Sequence, residues 1–382
     1  MTRISPEWLG SVPARRVCAV LTDAGYQAWF VGGCVRNTLL GELVADLDLS
    51  TDAPPEVVMQ LAKARGLRAI PTGIDHGTVT ILAENVPFEV TTFRKDIDTD
   101  GRRAVVAFAG NMTDDARRRD FTMNALYVDP DGNVADPLGG LDDLHARRVR
   151  FIDDPDARIR EDYLRILRFF RFHAWYGDPE NGLDADGLAA CAANTDGLDQ
   201  LSRERVGHEM RKLLSAPDPA PSVAAMAAAG VLMRILPGSN ALLLAVLMHV
   251  EGQAGLAPDP IRRLAALGGE DPGDLLRLTK REMTHLSQLR EGLGNGMAAQ
   301  ELGYRFADRA VDILALRAAM AGQEFDTKLA EKAVFGANQS FPLAASDFML
   351  DLSGPALGKA LGNAEQRWIA SGFTLTRAEL LR

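Results

Sequence analysis

The sequence predicts an α+β protein in which a small mixed β-sheet with helices is followed by an all-helical region. Two β-branched runs, 77–82 and 87–93, are separated by Glu84-Asn85, a pattern typical of a hairpin. After Phe151 the chain turns helical, with apolar residues at helical spacing divided by glycine and proline. The 382 residues exceed one small core, so we expect two or three domains. We place them at 1–150, 151–240 and 241–382.

The first region is predicted element by element from its apolar spacing and its turn residues. Val17, Val20 and Leu21 share one face of a helix over 13–24. Pro54-Pro55 opens a later helix, as proline does near a helix start, and Gly66 ends it. In chain order we expect a strand over 28–31, a short helix over 35–41, a strand over 43–49, a helix over 54–64 and a strand over 68–71.

Two carboxylates, Asp46 and Asp48, lie two residues apart in the predicted strand. Residues with this spacing point to the same face of a strand, so the two side chains project side by side. Parallel carboxylates repel each other unless a cation neutralises them, and Mg²⁺ prefers such oxygen ligands together with substrate phosphates. Most isolated Asp-x-Asp pairs are solvated surface residues, so the pair needs support from its surroundings.

That support comes from Gly32-Gly33, which lies just upstream and leads into a short helix. A glycine turn at a helix start exposes backbone N–H groups that bind phosphate, and Arg36 adds a cation. A metal-binding pair beside a phosphate cradle indicates nucleotide chemistry. Glu89, on the second hairpin strand, is a third candidate carboxylate, and the alternative is an ordinary edge-strand glutamate.

Arginine-rich segments follow the hairpin. Residues 94–114 are polar and charged and are predicted to form a mobile loop. Arg119, next to Asp120, is the arginine we expect at the sugar or phosphates of a nucleotide, although adjacent arginines often form a solvated face. A long helix over 159–176 carries a stripe of residues at multiples of three, namely Asp162, Arg165, Arg168 and Arg171. Taken in isolation, this stripe favours a salt-bridged amphipathic helix in which Asp162 simply pairs with Arg165.

The order of these motifs resembles one family. G-G-x-V-R at Gly32, D-x-D at Asp46, E-V-T-T-F-R at Glu89, R-R-D-F-T-M-N-A-L at Arg118 and E-D-x-x-R at Glu161 are similar to the signatures of class II nucleotidyltransferases. This family comprises the bacterial CCA-adding tRNA nucleotidyltransferases and their poly(A) polymerase relatives. Its first motif usually carries Asp where this chain has Asn37. The resemblance is strong over residues 28–240 and thin after them.

The resemblance implies template-independent transfer of CMP and AMP from CTP and ATP to the 3′ end of tRNA. Asp46 and Asp48 would hold two Mg²⁺ ions, with Glu89 as a further catalytic carboxylate. Gly33 and Arg36 would orient the triphosphate. In the family the helix with Asp162, Arg165, Arg168 and Arg171 covers the nucleotide, and Asp162 with Arg165 would read the base edge, accepting C and A.

Three alternatives remain open from the sequence. A poly(A) polymerase has the same fold and chemistry but uses only ATP. A small-molecule nucleotidyltransferase would not need the long helical tail. A non-catalytic RNA-binding scaffold would not need intact acids at 46 and 48.

Charge, hydropathy and cysteine content lead to further expectations about partners and cellular location. The net charge of −10 argues against a nucleic-acid partner when taken alone, but arginines cluster at 158–171 and 203–211, so we expect localised, salt-sensitive RNA binding. We expect no membrane span and no signal peptide, and the three distant cysteines fit a cytoplasmic protein.

In the predicted helical tail, we recognise no group of residues typical of a catalytic site. His249 and His285 lack an adjacent Asp, so we expect no HD-type phosphohydrolase domain. The oligomeric state is left open.

Overall fold

The computed structural model describes residues 2–99, 104–108, 110–349 and 353–382. The chain divides into two compact units, the first ending at Ile235 and the second comprising Leu236–Arg382. The predicted α+β class is confirmed, because the first unit carries a mixed sheet and the second is helical in its described residues.

The sheet of the first unit has the order β3-β4-β5-β2-β1-β8-β9 among the described residues. Strand β2 lies at its centre, antiparallel to β1 and parallel to β5. A separate antiparallel pair is formed by β6 and β7. The strands are β1 Trp29–Val31, β2 Leu47–Thr51, β3 Arg68–Gly73, β4 Thr78–Ala83, β5 Val86–Thr92, β6 Arg94–Thr99, β7 Ala104–Phe108, β8 Tyr127–Val128 and β9 Val134–Ala135.

The helices of the first unit flank this sheet and then continue without it. They are α1 Glu7–Gly10, α2 Val12–Thr22, α3 Gly33–Leu40, α4 Pro55–Ala64, α5 Met112–Arg117, α6 Gly140–His145, α7 Pro155–Glu161, α8 Leu164–Tyr176, α9 Ala185–Ala193, α10 Arg203–Leu214, α11 Ala220–Ala228 and α12 Val231–Ile235.

Most predicted elements of the sheet region are confirmed. The hairpin β4–β5 turns at Glu84 and Asn85, which both have positive φ, as a two-residue hairpin turn requires. The strand expected over 43–49 begins only at Leu47, so Asp46 precedes it. The mobile loop expected over 94–114 is wrong for the residues described there, which form β6, β7 and α5. Residues 100–103 and 109 of that prediction lie outside the described residues.

The single helix expected over 159–176 is also wrong, because two helices meet at Asp162. This residue has extended backbone angles, φ −154° and ψ 104°, and ends α7. Its Oδ1 accepts a hydrogen bond of 3.1 Å from the Leu164 backbone N–H at the start of α8. A short carboxylate side chain competes with the helix for backbone donors, which explains the break.

An aromatic cluster joins the sheet region to α8. The ring of Phe121 lies 5.0 Å from that of Phe151 and 4.9 Å from that of Phe172, and the rings of Phe151 and Phe169 are 5.3 Å apart. These buried rings make residues on both sides of position 150 parts of one core. The predicted boundary at 150 therefore separates strand-bearing from helical sequence within one compact unit, and we keep it as a proposal.

The second unit confirms the prediction of a helical tail. One helix ends in the left-handed conformation at Gly255 and another at Gly322, as is typical of glycine at helix ends. Among the described residues, none of the helices has both the length and the apolar character required to cross a bilayer. The helices are α13 Leu242–Ala254, α14 Pro260–Leu267, α15 Pro272–Leu275, α16 Lys280–Gly294, α17 Ala299–Phe306, α18 Arg309–Ala321, α19 Thr327–Ala337, α20 Gly354–Ala370 and α21 Arg377–Leu380.

Candidate active site

The predicted carboxylates gather at the centre of the sheet. Asp48 on β2 is the register partner of Glu89 on the parallel strand β5, so both side chains leave the same face. Burial raises the pKa of Asp48 to about 6, and the charges of Glu89 and Asp46 add to the rise while Arg119 opposes it. Such a cluster binds a proton or a cation more readily than an isolated carboxylate does.

Asp46 and Glu89 occupy more open positions. Asp46 lies in the exposed segment before β2, and Glu89 is exposed on β5. Glu89 is not on an edge strand, because β5 lies between β4 and β2. The edge-strand alternative for this residue is therefore wrong. The exposure of both carboxylates leaves room for a cation bound between them and Asp48.

A glycine turn connects β1 to α3 beside these carboxylates. Gly32 has φ 74° and ψ −122°, a conformation that L side chains rarely adopt, and it is the N-cap of α3. A Cβ atom at Gly32 would lie 3.2 Å from Nη1 of Arg119. The missing side chain thus lets a guanidinium approach the N-terminus of a helix, and both features attract phosphate.

Arg119 is held in this place by residues that the sequence did not single out. Its Nε donates to the Tyr127 hydroxyl at 3.3 Å, and its Nη2 donates to Asp115 Oδ2 at 3.3 Å. The Tyr127 hydroxyl in turn donates to Asp115 at 2.8 Å. Burial lowers the pKa of Arg119, but Tyr127 and Asp115 outweigh it and raise the pKa, so the guanidinium stays charged. Tyr127 ends an apolar run and carried no recognisable signal.

Arg36 lies on the other side of the turn, and its hydrogen-bond partners are uncharged side chains. Its guanidinium donates to the side-chain oxygens of Asn37 and Asn124 and, at 2.9 Å, to the hydroxyl of Tyr176. The Tyr176 ring centroid is 4.0 Å from the guanidinium carbon. Burial lowers the pKa of Arg36. Arg36 therefore ties the glycine turn to the end of α8 as well as lining the cleft.

The three predicted arginines of α8 have separate partners. Arg165 donates to Glu161 at 2.6 Å and to the backbone oxygens of Arg158 and Arg118. Arg168 donates from Nε to Asp120 at 2.7 Å. Arg171 pairs with Glu209 of α10 at 2.5 Å. The arginines of this segment are thus salt-bridged, but the expected pair of Asp162 with Arg165 is wrong, because Arg165 pairs with Glu161 and Asp162 pairs with Arg205.

Asp162 is also paired, at the junction of α7 and α8. Its Oδ2 accepts a hydrogen bond of 2.7 Å from Nη2 of Arg205 on α10. Both side chains remain partly accessible, at 34% for Asp162 and 49% for Arg205. An exposed pair of this kind contributes little to stability and exchanges readily with another partner.

These groups surround one cleft of about 360 Å³ within the first unit. The glycine turn, Asp48, Arg119 and the α7–α8 junction all contribute to it. The described residues that line it are Gly32, Gly33, Arg36, Asp48, Arg118, Arg119, Asp120, Asn124, Asp162, Arg165, Arg168 and Phe172. Three predicted site residues, Asp46, Glu89 and Arg171, are not part of this lining. Asp120 and Asn124 lie within the motif quoted at Arg118, where flanking residues were the only signal.

Two family models match the chain. Residues 28–150 match the model described as "Poly A polymerase head domain". Residues 183–243 match the model described as "Probable RNA and SrmB- binding site of polymerase A". The first match contains the turn, the carboxylates and Arg119.

Curated relatives are similar over the same part of the chain. A CCA-adding enzyme of Geobacillus thermodenitrificans is 41% identical over 220 residues, which are 57% of this chain and 52% of the relative. The human mitochondrial CCA tRNA nucleotidyltransferase 1 is 37% identical over 213 residues, 55% of this chain and 49% of the relative. The matched part of this chain thus spans about half the length of these curated relatives.

Solved structures resemble the chain over a greater length. The Bacillus stearothermophilus CCA-adding enzyme in complex with CTP matches with a TM-score of 0.76 and 28% identity, covering 97% of this chain and 94% of that one. The Thermotoga maritima CCA-adding enzyme complexed with tRNA matches with a TM-score of 0.72 over 99% and 95% of the two chains. Its identity of 19% limits that likeness to the fold.

Proposed function

We propose that this chain is a class II nucleotidyltransferase, of the family of CCA-adding enzymes and poly(A) polymerases, and that it adds CMP and AMP from CTP and ATP to the 3′ end of tRNA. One observation carries the proposal. A single cleft contains a carboxylate with a raised pKa, a glycine turn at a helix start and a charged Arg119, with Asp162 at its rim. These groups suit a metal, a triphosphate and a base.

The phosphate-binding part consists of Gly33, Arg36 and Arg119. The helix N-terminus after Gly32 and the two guanidinium groups concentrate positive charge where a triphosphate would lie. Arg119 is fixed by Asp115 and Tyr127 and needs little rearrangement to stabilise developing charge. Arg36 is engaged by neutral oxygens, so its charge is not cancelled by a contacting carboxylate among the described residues.

Enzymes of this family generally depend on divalent metal ions, and we propose Mg²⁺ for this chain. Asp46 and Asp48 would hold it, with Glu89 as the neighbouring carboxylate. The fit is supported by the raised pKa of Asp48, which reflects burial and the negative charges of Glu89 and Asp46, opposed only in part by Arg119. Bound Mg²⁺ lowers the pKa of an attacking hydroxyl and stabilises the leaving pyrophosphate. The protein contributes the positioning of triphosphate and acceptor.

Base selection is assigned to Asp162 and Arg165, which both line the cleft. A carboxylate accepts a hydrogen bond from the exocyclic amine that cytosine and adenine share, and a guanidinium donates to the neighbouring ring nitrogen or carbonyl. Uracil and guanine present the opposite groups. Arg168 and Arg171 extend this side of the cleft through Asp120 and Glu209 and would support the helix over the nucleotide.

The proposed function is tested by measuring the incorporation of labelled nucleotides into tRNA. The protein is incubated with a tRNA that lacks its 3′ end and with each labelled nucleoside triphosphate in turn. We expect ordered addition of C, C and A. Addition of A alone, in repeated steps, would favour a poly(A) polymerase, while labelling of a small amine or sugar would favour a small-molecule nucleotidyltransferase. An absence of incorporation, with tRNA still bound, would overturn the proposal in favour of a binding scaffold.

Variants of the carboxylates provide the control. Asp46→Ala and Asp48→Ala should each abolish incorporation, because one remaining carboxylate does not hold the metal. Asp52→Asn is the matched control, since its carboxylate binds Gln27 just beyond β2 and lies outside the cleft lining. A near-normal rate for Asp48→Ala at saturating Mg²⁺ would contradict the assignment.

We further propose that the reaction takes place in the cytoplasm. The supporting observation is that Cys18, Cys34 and Cys191 are free thiols buried in the fold. Burial raises the pKa of the Cys34 thiol to about 11, so it stays protonated and unreactive. Such thiols fit a reducing compartment.

A further inference from the structure

The second unit contains a cluster of ligand-type side chains that the proposed reaction does not use. Asp259 caps the start of α14, His285 lies on α16 and Asp312 lies on α18. One ligand atom from each residue lies within 4.8 Å of the others. The three residues are distant in sequence, so adjacency of His and Asp could not reveal them.

The imidazole has an unused nitrogen at this place. His285 is 7% exposed, and its Nε2 is buried without a hydrogen-bond partner. The nearest carboxylate atom, Oδ2 of Asp312, is 3.6 Å away, which exceeds hydrogen-bond length. A buried imidazole nitrogen without a partner is costly, so a third group between these atoms would stabilise the arrangement.

Each carboxylate is oriented by one oxygen, which leaves the other oxygen for a ligand. Asp259 Oδ1 accepts from the backbone N–H groups of Ile261 and Arg262 at 2.7 and 2.9 Å. Asp312 Oδ1 accepts from Nη1 of Arg262 at 2.7 Å. Hydrogen bonds of this kind to the outer oxygen are what fixes metal-binding carboxylates in proteins.

The local charges are compatible with a bound cation. Arg262 and Arg263 are buried, and they donate to Oε1 and Oε2 of Glu251, respectively. The two positive charges are therefore matched by the negative charges of Glu251 and Asp312. Among these five residues, the carboxylate of Asp259 then adds one negative charge. Arg309 is the one nearby competitor that we identify among the described residues, with Nη1 3.9 Å from Asp312 Oδ2 and a side chain 31% exposed.

We propose that Asp259, His285 and Asp312 bind a divalent transition-metal ion, Zn²⁺ in the first instance, that cross-links α14, α16 and α18. Two ligands of a tetrahedral Zn²⁺ ion with bonds of about 2.0–2.1 Å are separated by roughly 3.4 Å. The 3.6 Å between His285 and Asp312 is close to this spacing, whereas Asp259, whose ligand atom lies within 4.8 Å of the other two, must move closer to complete the site. An imidazole ligand favours Zn²⁺ over Mg²⁺, which separates this site from the nucleotide cleft.

The experiment uses the full chain carrying Asp46→Asn and Asp48→Asn, so that the proposed catalytic metal does not contribute. After removal of metal with a chelator, Co²⁺ is titrated and visible absorption is recorded. We expect one equivalent of Co²⁺ with ligand-field bands, displaced by Zn²⁺ but not by Mg²⁺. Zn²⁺ should also raise the melting temperature, because it binds the folded state alone. The absence of stoichiometric Co²⁺ and Zn²⁺ binding would overturn the proposal. His285 and Asp312 would then only contact each other.

Variants locate the site. Asp259→Asn keeps the helix cap, because Asn caps as well as Asp, and should preserve the metal-free melting temperature while losing the equivalent of metal. His285→Gln should lose it too, whereas His249→Gln, at an exposed histidine of α13, should not. Arg309→Ala should tighten binding, since it removes a competing cation. Unchanged binding in both Asp259→Asn and His285→Gln would overturn the assignment.

Discussion

At the scale of single residues, Asp48 couples the stability of the protein to pH. Its folded-state pKa is raised to about 6 by burial and by Glu89, whereas an unfolded aspartate titrates near 3.9. Folding therefore favours the protonated form. The resulting stabilisation is complete below about pH 4 and is lost as pH rises through about 6.

We predict that the metal-free protein loses about 1–2 kcal/mol of unfolding free energy from this group between pH 4 and 7, after allowance for solvent screening. The measurement is urea unfolding in a chelator as a function of pH. Glu89→Gln should flatten the pH dependence by removing a repelling charge, and Asp48→Asn should abolish this contribution. Identical curves for wild type and Asp48→Asn would contradict the prediction.

In the proposed metal site, the same residue would determine the pH at which a divalent ion binds. Because the metal requires the ionised carboxylate, the apparent affinity for Mg²⁺ should fall steeply below about pH 6. Glu89→Gln should shift this limit to lower pH. If affinity stayed constant from pH 7 to 5, Asp48 would not be a ligand.

Asp162 offers a test that separates base reading from a structural ion pair. We predict that Asp162→Ala lowers discrimination against UTP and GTP by about 1–3 kcal/mol, since it removes the acceptor for the shared exocyclic amine. Catalysis should persist, because the phosphate site is untouched. The measurement is kcat/KM for all four nucleotides.

Arg205→Ala is the matched control, because it breaks the same ion pair and leaves the carboxylate in place. It should preserve the preference for CTP and ATP. If both variants lowered all four values of kcat/KM equally, the pair would serve only to hold α7 and α10, and the assignment of base reading would fail.

At the scale of elements, prediction succeeded where local chemistry decides the structure. Glu84-Asn85 gave the hairpin turn, and Ser202, a residue type favoured at N-caps, caps α10 by accepting from the Arg205 backbone N–H. The helix break at Asp162 was missed because apolar spacing continues through it, whereas the carboxylate binds the Leu164 N–H. Strands β6 and β7 were missed because their pairing with each other, rather than apolar alternation, defines them.

The candidate site was predictable to a similar extent. Gly33, Asp48, Arg119, Asp162, Arg165 and Arg168 lie in short motifs and do line one cleft. Tyr176 acts through a long-range contact, and a single sequence has no pattern that joins residue 36 to residue 176. Tyr127 and Asp115 contact Arg119 from positions nearby in sequence, but no motif marked them. Tertiary pairing of this kind requires the fold.

The pair of Asp120 and Arg168 links the sheet region to α8. Burial raises the pKa of Asp120, but Arg168 and Asn124 outweigh it and hold the pKa at about 2. This stabilisation is present above about pH 4 and is lost as pH falls towards 2. We predict that Arg168→Gln costs about 2–4 kcal/mol at pH 7, because it leaves a buried carboxylate without its cation.

Urea unfolding measures this cost, and the double variant with Asp120→Asn should recover part of it. Arg160→Gln is the comparison, since its pair with Asp156 is exposed, at 65% and 39%, and should cost less than about 0.5 kcal/mol. Equal costs for the two arginines would show that burial of Asp120 is not what makes the pair strong.

At the scale of the whole molecule, the charge distribution limits how the proposed tRNA substrate could bind. The chain carries a net charge of −10, and the arginines at 158–171 that we expected to meet RNA have acidic partners in the fold. Arg165 pairs with Glu161, Arg168 with Asp120 and Arg171 with Glu209. Only cations that are not neutralised within the protein release counterions when they contact phosphate.

We therefore predict salt-dependent but shallow binding of tRNA, with a slope of log affinity against log salt of about −2 to −4, equivalent to roughly two to four phosphate contacts. Fluorescence anisotropy between 50 and 300 mM KCl would measure it. Arg160→Gln and Arg205→Gln, which alter partly exposed arginines, should each reduce the slope by no more than about 1.

A slope of zero would exclude electrostatic binding. A slope steeper than about −6 would mean that the internal ion pairs open when tRNA binds, and Arg171→Gln would then weaken binding as much as the exposed variants do.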